Sequence, residues 1–111
     1  RTQRFYEPVL KTLGWRCTGA RAGLFVAFKK RGSPALYFQV SDAVSPVHLA
    51  FKAADASEVS AFYELALTVG GTDNGPPGPR PDYGERYYAA FVYDPDGHNA
   101  EAVCGGVYPP R

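Results

Sequence analysis

The chain has 111 residues, 45% of them hydrophobic and 14% aromatic, enough for one folded core and too many for a disordered chain. Twelve Lys and Arg against eleven Asp and Glu leave a net charge of +1, which excludes the strong footprint of a nucleic-acid or anionic-membrane binder. The longest apolar run, Leu24 to Phe28, is far short of a membrane span, and two cysteines form neither a disulfide framework nor a zinc signature, so a cytoplasmic protein with reduced thiols is expected.

Phe5, Val9, Leu10 and Leu13 line one face of a first helix. Pro8 fits there if the helix starts just before it, and Gly14 is the expected stop. Strands are predicted over 16–19, 23–29 and 35–40, which are rich in aromatic and β-branched residues. Arg31-Gly32-Ser33-Pro34 is the turn before the last of them. A strand over 46–52 precedes a second helix with the stripe Val59, Phe62, Ala66 and Val69. Asp55 with Glu58 reads as its capping box, and Gly70-Gly71 ends it. An irregular edge near Thr72, a strand over 87–93 and a strand over 99–104 complete the chain. Asp94-Pro95-Asp96-Gly97 is the turn between the last two, with Pro setting φ and Gly accepting a positive one.

The chain repeats itself. Phe5-Tyr6-Glu7 recurs as Phe62-Tyr63-Glu64, and the same spacing carries Leu10 onto Leu67 and Gly14 onto Gly71. Phe25-Val26 recurs as Phe91-Val92, with the extra residues placed in the Pro/Gly-rich stretch 75–84. Two copies of one unit are expected, over 1–43 and 44–111. The second reads βαβββ; the first lacks the leading strand. Because the chain also has no Met and starts at Arg1, that strand is expected upstream.

Phe5-Tyr6-Glu7-Pro8-Val9-Leu10, Leu13-Gly14-Trp15 and Val47-His48-Leu49-Ala50-Phe51 carry a family resemblance. It continues in Ala61-Phe62-Tyr63, Gly70-Gly71, the run 77–83 and above all the run 87–101. With these phrases the chain resembles the vicinal oxygen chelate superfamily, which holds glyoxalases, bleomycin-resistance proteins and extradiol dioxygenases. It looks most like the small bacterial glyoxalase-like branch. The resemblance implies an α+β fold of paired βαβββ units, an eight-stranded sheet around a cavity, and a divalent metal (Fe, Mn, Zn or Ni) within it.

Carried over residue by residue, the resemblance makes His48 and Glu101 metal ligands. The last strand of unit one, through Leu36, Tyr37 and Phe38, offers no carboxylate, and a further ligand would lie upstream, so the site is incomplete in this chain. Alternation alone puts His48, Ala50 and Lys52 on a roomy polar face opposite Val47, Leu49 and Phe51. A glutamate in so apolar a strand needs a partner or a metal, unless it points to solvent while His48 is a hydrogen-bonded core histidine. Tyr37, Arg80, Tyr83 and Tyr88 are the expected substrate contacts, with Tyr87 a further candidate to line the cavity. The stretch 75–84, with four prolines, is expected to form a stiff lip bearing Arg80 and Tyr83. His98 reads as a turn flank, Lys29-Lys30-Arg31 as a solvated turn, and both cysteines as small packers.

The functional expectation is a metal-dependent glyoxalase- or dioxygenase-type enzyme, a lyase or isomerase included, acting on a small molecule with vicinal oxygens. The alternative is a metal-free small-molecule binder like the bleomycin-resistance branch; a stress-related domain with neither activity is the third reading. A homodimer is expected from the open sheet edge and from the superfamily's habit of exchanging units.

Overall fold

Apolar residues on one face of each helix decide how the two units meet. The computed structural model describes residues 2–21, 25–33, 35–39 and 47–105. Helix α1 (Thr2–Lys11) buries Phe5, Tyr6, Val9 and Leu10, and helix α2 (Ala56–Thr68) buries Val59, Phe62 and Ala66. The helices pack on one another; α1 also lies on the first sheet and α2 on the second. These faces, with Leu13, Phe28, Phe51, Val92, Ala100 and Ala102, make one continuous core.

Strands β1 (Arg16–Arg21), β2 (Phe25–Lys29) and β3 (Leu36–Gln39) form an antiparallel meander. Strand β4 (His48–Lys52) precedes α2. After the helix come β5 (Thr72–Asp73), β6 (Gly78–Pro79), β7 (Tyr88–Tyr93) and β8 (Asn99–Cys104). The second sheet runs β4-β8-β7-β5, with β6 also on β7 and β4 parallel to β8. The α+β class is as expected, and the second unit follows the expected βαβββ order with one strand added, the two-residue β6. Among the described residues the strands form separate sheets of three and five rather than one continuous sheet of eight. Helix packing joins the two units. The boundary between 43 and 44, the outer residues Gly23, Val40 and Pro46 of three expected strands, and Pro34 of the expected turn lie outside the described residues.

Pro8 corrects the first helix. The helix begins six residues before it, so Pro8 sits well inside and removes the bond its N–H would give to the Arg4 carbonyl. Burial of Phe5, Tyr6, Val9 and Leu10 on both sides of it stabilises the helix despite that loss. The stop is as expected, with Gly14 at φ 89° and the Trp15 N–H closing on the Leu10 carbonyl. In α2, Asp55 accepts from the Glu58 N–H at 2.9 Å, while Glu58 reaches back to the Ala54 N–H at 2.8 Å. The reciprocal cap therefore closes one residue earlier than the usual box. Gly71 marks the tightest approach between the units: a Cβ there would stand 2.7 Å from the Phe5 ring and 2.8 Å from the Ala66 carbonyl oxygen.

Candidate functional site

Strand alternation, read from the register, builds the site. Ala100 and Ala102 point into the core beneath α2, so Glu101 points to the opposite face of β8. On β4, Phe51 is buried toward the helix, which leaves His48, Ala50 and Lys52 on the face that Glu101 shares. Parallel pairing sets Ala50 beside Glu101 and His48 two pairs away, beside Asn99. The small alanine leaves room for the imidazole to reach across. His48 Nε2 lies 2.7 Å from Glu101 Oε1.

Glu101 is only 2% exposed, whereas the His48 side chain is 53% exposed. A carboxylate so buried is costly unless its oxygens are satisfied, and both are. His48 meets Oε1, and the Tyr87 hydroxyl donates to Oε2. Phe91, paired directly with Glu101 in β7, brings its ring 6.2 Å from that of His48. His48, Tyr87 and Glu101 border an open cavity of about 390 Å³. The solvent reading of Glu101 is thereby excluded, and so is a buried, core-type His48.

The expected substrate contacts divide. Tyr88 faces the other side of β7 and packs against the core, because the strand's cavity face carries Tyr87 and Phe91. Tyr37 is 61% exposed on β3, in the other sheet, with its ring 6.4 Å from that of Phe25. Arg80 does not point outward for a ligand: its guanidinium donates to the carbonyls of Pro76, Gly78 and Pro79 and lies 5.4 Å from the Phe91 ring centre. It fastens the stretch 75–84 to the edge of β7, where the Arg80 N–H meets the Tyr87 carbonyl. Tyr83 is exposed but packs edge-on against Tyr87 at 5.1 Å, so it backs the hydroxyl that holds Glu101. His98 is a turn flank as expected; its Nδ1 accepts from the Val47 N–H at 3.1 Å and anchors the start of β4. Cys17 and Cys104 are half-buried free thiols, and burial, followed by Asp55 and Glu58, pushes the Cys104 thiol up, away from nucleophilic use.

The donor chemistry fits a divalent metal in part. An imidazole nitrogen and a carboxylate oxygen stand 2.7 Å apart, near the separation of about 3 Å kept by two donors that share one ion. Among the described residues no cluster of three or more His, Cys, Asp or Glu side chains could hold an ion, so the pair would supply two donors and no more. Register locates the matching place in unit one. Phe25 pairs with Gln39 as its repeat Phe91 pairs with Glu101, so an amide stands where the second unit has a carboxylate.

No family model and no curated protein matches the chain. Solved structures do. A glyoxalase/bleomycin resistance protein from Albidiferax ferrireducens T118 superposes with a TM-score of 0.78 at 24% identity, over 93% of this chain and 86% of that one. The fold is that of the vicinal oxygen chelate superfamily. The fosfomycin resistance protein FosX from Mesorhizobium loti matches at 0.67, with 23% identity over 98% of this chain and 84% of that one. Lactoylglutathione lyase from Agrobacterium tumefaciens gives 0.66, with 23% identity over 93% and 82%. The likeness to these glyoxalase-type structures is one of fold, and it spans nearly the whole chain. No helix among the described residues is long and apolar enough to cross a membrane.

Proposed function

We propose that the second unit supplies half of a divalent-metal site, with His48 and Glu101 as ligands, in a protein that acts on a small molecule bearing two adjacent oxygens. The observation that carries this reading is the 2.7 Å approach of His48 Nε2 to Glu101 Oε1 at the wall of an open cavity. A metal held there would supply Lewis-acid polarisation of the ligand's oxygens. The chain's own residues do the rest. Tyr87 donates to Glu101 Oε2 and keeps Oε1 turned toward His48. The exposed imidazole faces the cavity mouth, and Phe91 shields one flank of the pair from water. The remaining ligands come from outside the described residues or from a second copy of the chain, the homodimer expected from the sequence.

One observation favours a second reading, a metal-free binder. Glu101 already has a partner for each oxygen, so the triad of His48, Glu101 and Tyr87 is complete without an ion and could itself hydrogen-bond a ligand. Calorimetric titration of the protein with Mn(II) separates the two. The metal reading expects saturable binding that falls at least about tenfold in both His48→Ala and Glu101→Gln. Absence of binding, or binding indifferent to both substitutions, leaves the metal-free reading.

A further inference from the structure

The cavity has a second polar end. His48, Ala50 and Lys52 all line it from one strand, so the imidazole and the ammonium stem are about 13 Å apart at their Cα atoms. Between them the floor is Ala50 and Val103, small and apolar, with Cys104 and Gly105 also in the lining. Lys52 pairs in register with Val103, two places beyond the Ala50–Glu101 pair. It makes no ion pair with Glu101, whose oxygens are taken by His48 and Tyr87. Among the described residues the Lys52 ammonium has no hydrogen-bond or ion-pair partner. A lysine serving only to neutralise the buried glutamate would reach it. This one instead leaves an uncommitted cation across an apolar gap from the polar pair.

We propose that the cavity takes a small molecule with an anionic end, a carboxylate by preference, that rests on Lys52 while its adjacent oxygens face His48 and Glu101. The inference rests on the proposed function for the polar end and adds the substrate class. A single flexible ammonium is a point charge, which suits a carboxylate; phosphoryl groups are more often met by several donors or by the guanidinium fork. The apolar floor fits a short carbon chain joining the two ends.

A matched pair of acids tests this. Both 2-oxoglutarate and 2-oxopentanoate carry the same two adjacent oxygens, and only the first has a distal carboxylate. Calorimetry of each acid in the presence of Mn(II) is expected to show the dicarboxylate binding about fivefold more tightly to the wild-type chain. Lys52→Met, which keeps the stem of this exposed residue, should bring the dicarboxylate down to the affinity of the monoacid and leave the monoacid unchanged. Lys52→Arg should retain the preference. His48→Ala should weaken both acids and preserve their ratio. Equal affinity in the wild type, no binding of either acid, or a preference that survives Lys52→Met overturns the inference. A preference that depends on Lys52 while His48→Ala changes neither acid sustains the anion contact and overturns the proposed function instead.

Discussion

Tyr6 and Tyr63 hold the same place in the two repeats, and each hydroxyl donates to an aspartate, yet the bonds differ in kind. Tyr6 is fully buried, stacks on Phe38 at 4.4 Å, and reaches Asp94 Oδ2 at 2.6 Å across the interface between the units. Tyr63 meets Asp73 Oδ1 at 2.9 Å near the surface of its own unit. The sheets differ in the same way. Phe25, Ala27, Tyr37 and Gln39 share one face of the first and bring neither carboxylate nor imidazole to it; the corresponding face of the second carries His48, Glu101 and Tyr87. The two units pair Phe25 with Gln39 and Phe91 with Glu101 alike, while burial and single side chains make them differ.

Equal burial should mean equal cost. Phe5 and Phe62 are repeat partners and both fully buried, so Phe5→Ala and Phe62→Ala should each destabilise by about 3–5 kcal/mol in chemical denaturation. A large gap between them would break the symmetry of the core.

Unequal burial should mean unequal cost. Tyr6→Phe removes a buried donor from Asp94 and should cost about 1–3 kcal/mol. Tyr63→Phe should shift the midpoint only slightly. The pair also differs on the alkaline side. Burial, then the Asp94 hydrogen bond, holds the Tyr6 phenol far above its ordinary value, so its stabilisation is complete below about pH 10 and is lost as the pH rises further. Denaturation midpoints followed from about pH 10 to about pH 12 should fall more steeply for the wild type than for Tyr6→Phe.

Within the site, Tyr87→Phe should leave one oxygen of buried Glu101 without its donor. Modest destabilisation of about 1–3 kcal/mol is expected, together with weaker Mn(II) binding that Tyr88→Phe does not reproduce. The smallest effect belongs to Asp73. The Gly75 N–H, then Tyr63, hold its carboxyl below the usual carboxylate range, so its contribution is present above about pH 4 and is lost as the pH falls through the lowered value. Asp73→Asn should flatten that acid limb and change little at neutral pH.

Much of this was legible in the residues. Helical stripes, the Asp55 cap and the bounds of β8 follow from local periodicity and chemistry, and alternation put His48 and Glu101 on cavity faces of their strands. Other features depend on what no local pattern encodes. Two adjacent tyrosines carry no phase, so Tyr88 looked as suitable as Tyr87; only the register with Cys104 and Glu101 separates them. Gly78-Pro79 has the composition of a turn and still pairs with β7. Arg80 looked available for a ligand because the three carbonyls that hold it lie in a loop whose path is set by that pairing. Tyr6 shows how far a partner can lie along the chain: Asp94 is reached only once α1 has packed.

The central claim is that His48 and Glu101 are donors to one ion. Crystals of the full chain grown with Mn(II), examined by anomalous scattering, test it most directly. The account predicts an anomalous peak at about 2.0–2.2 Å from both His48 Nε2 and a Glu101 oxygen. A structure in which the two side chains keep their direct hydrogen bond and the metal is absent or bound elsewhere would contradict it.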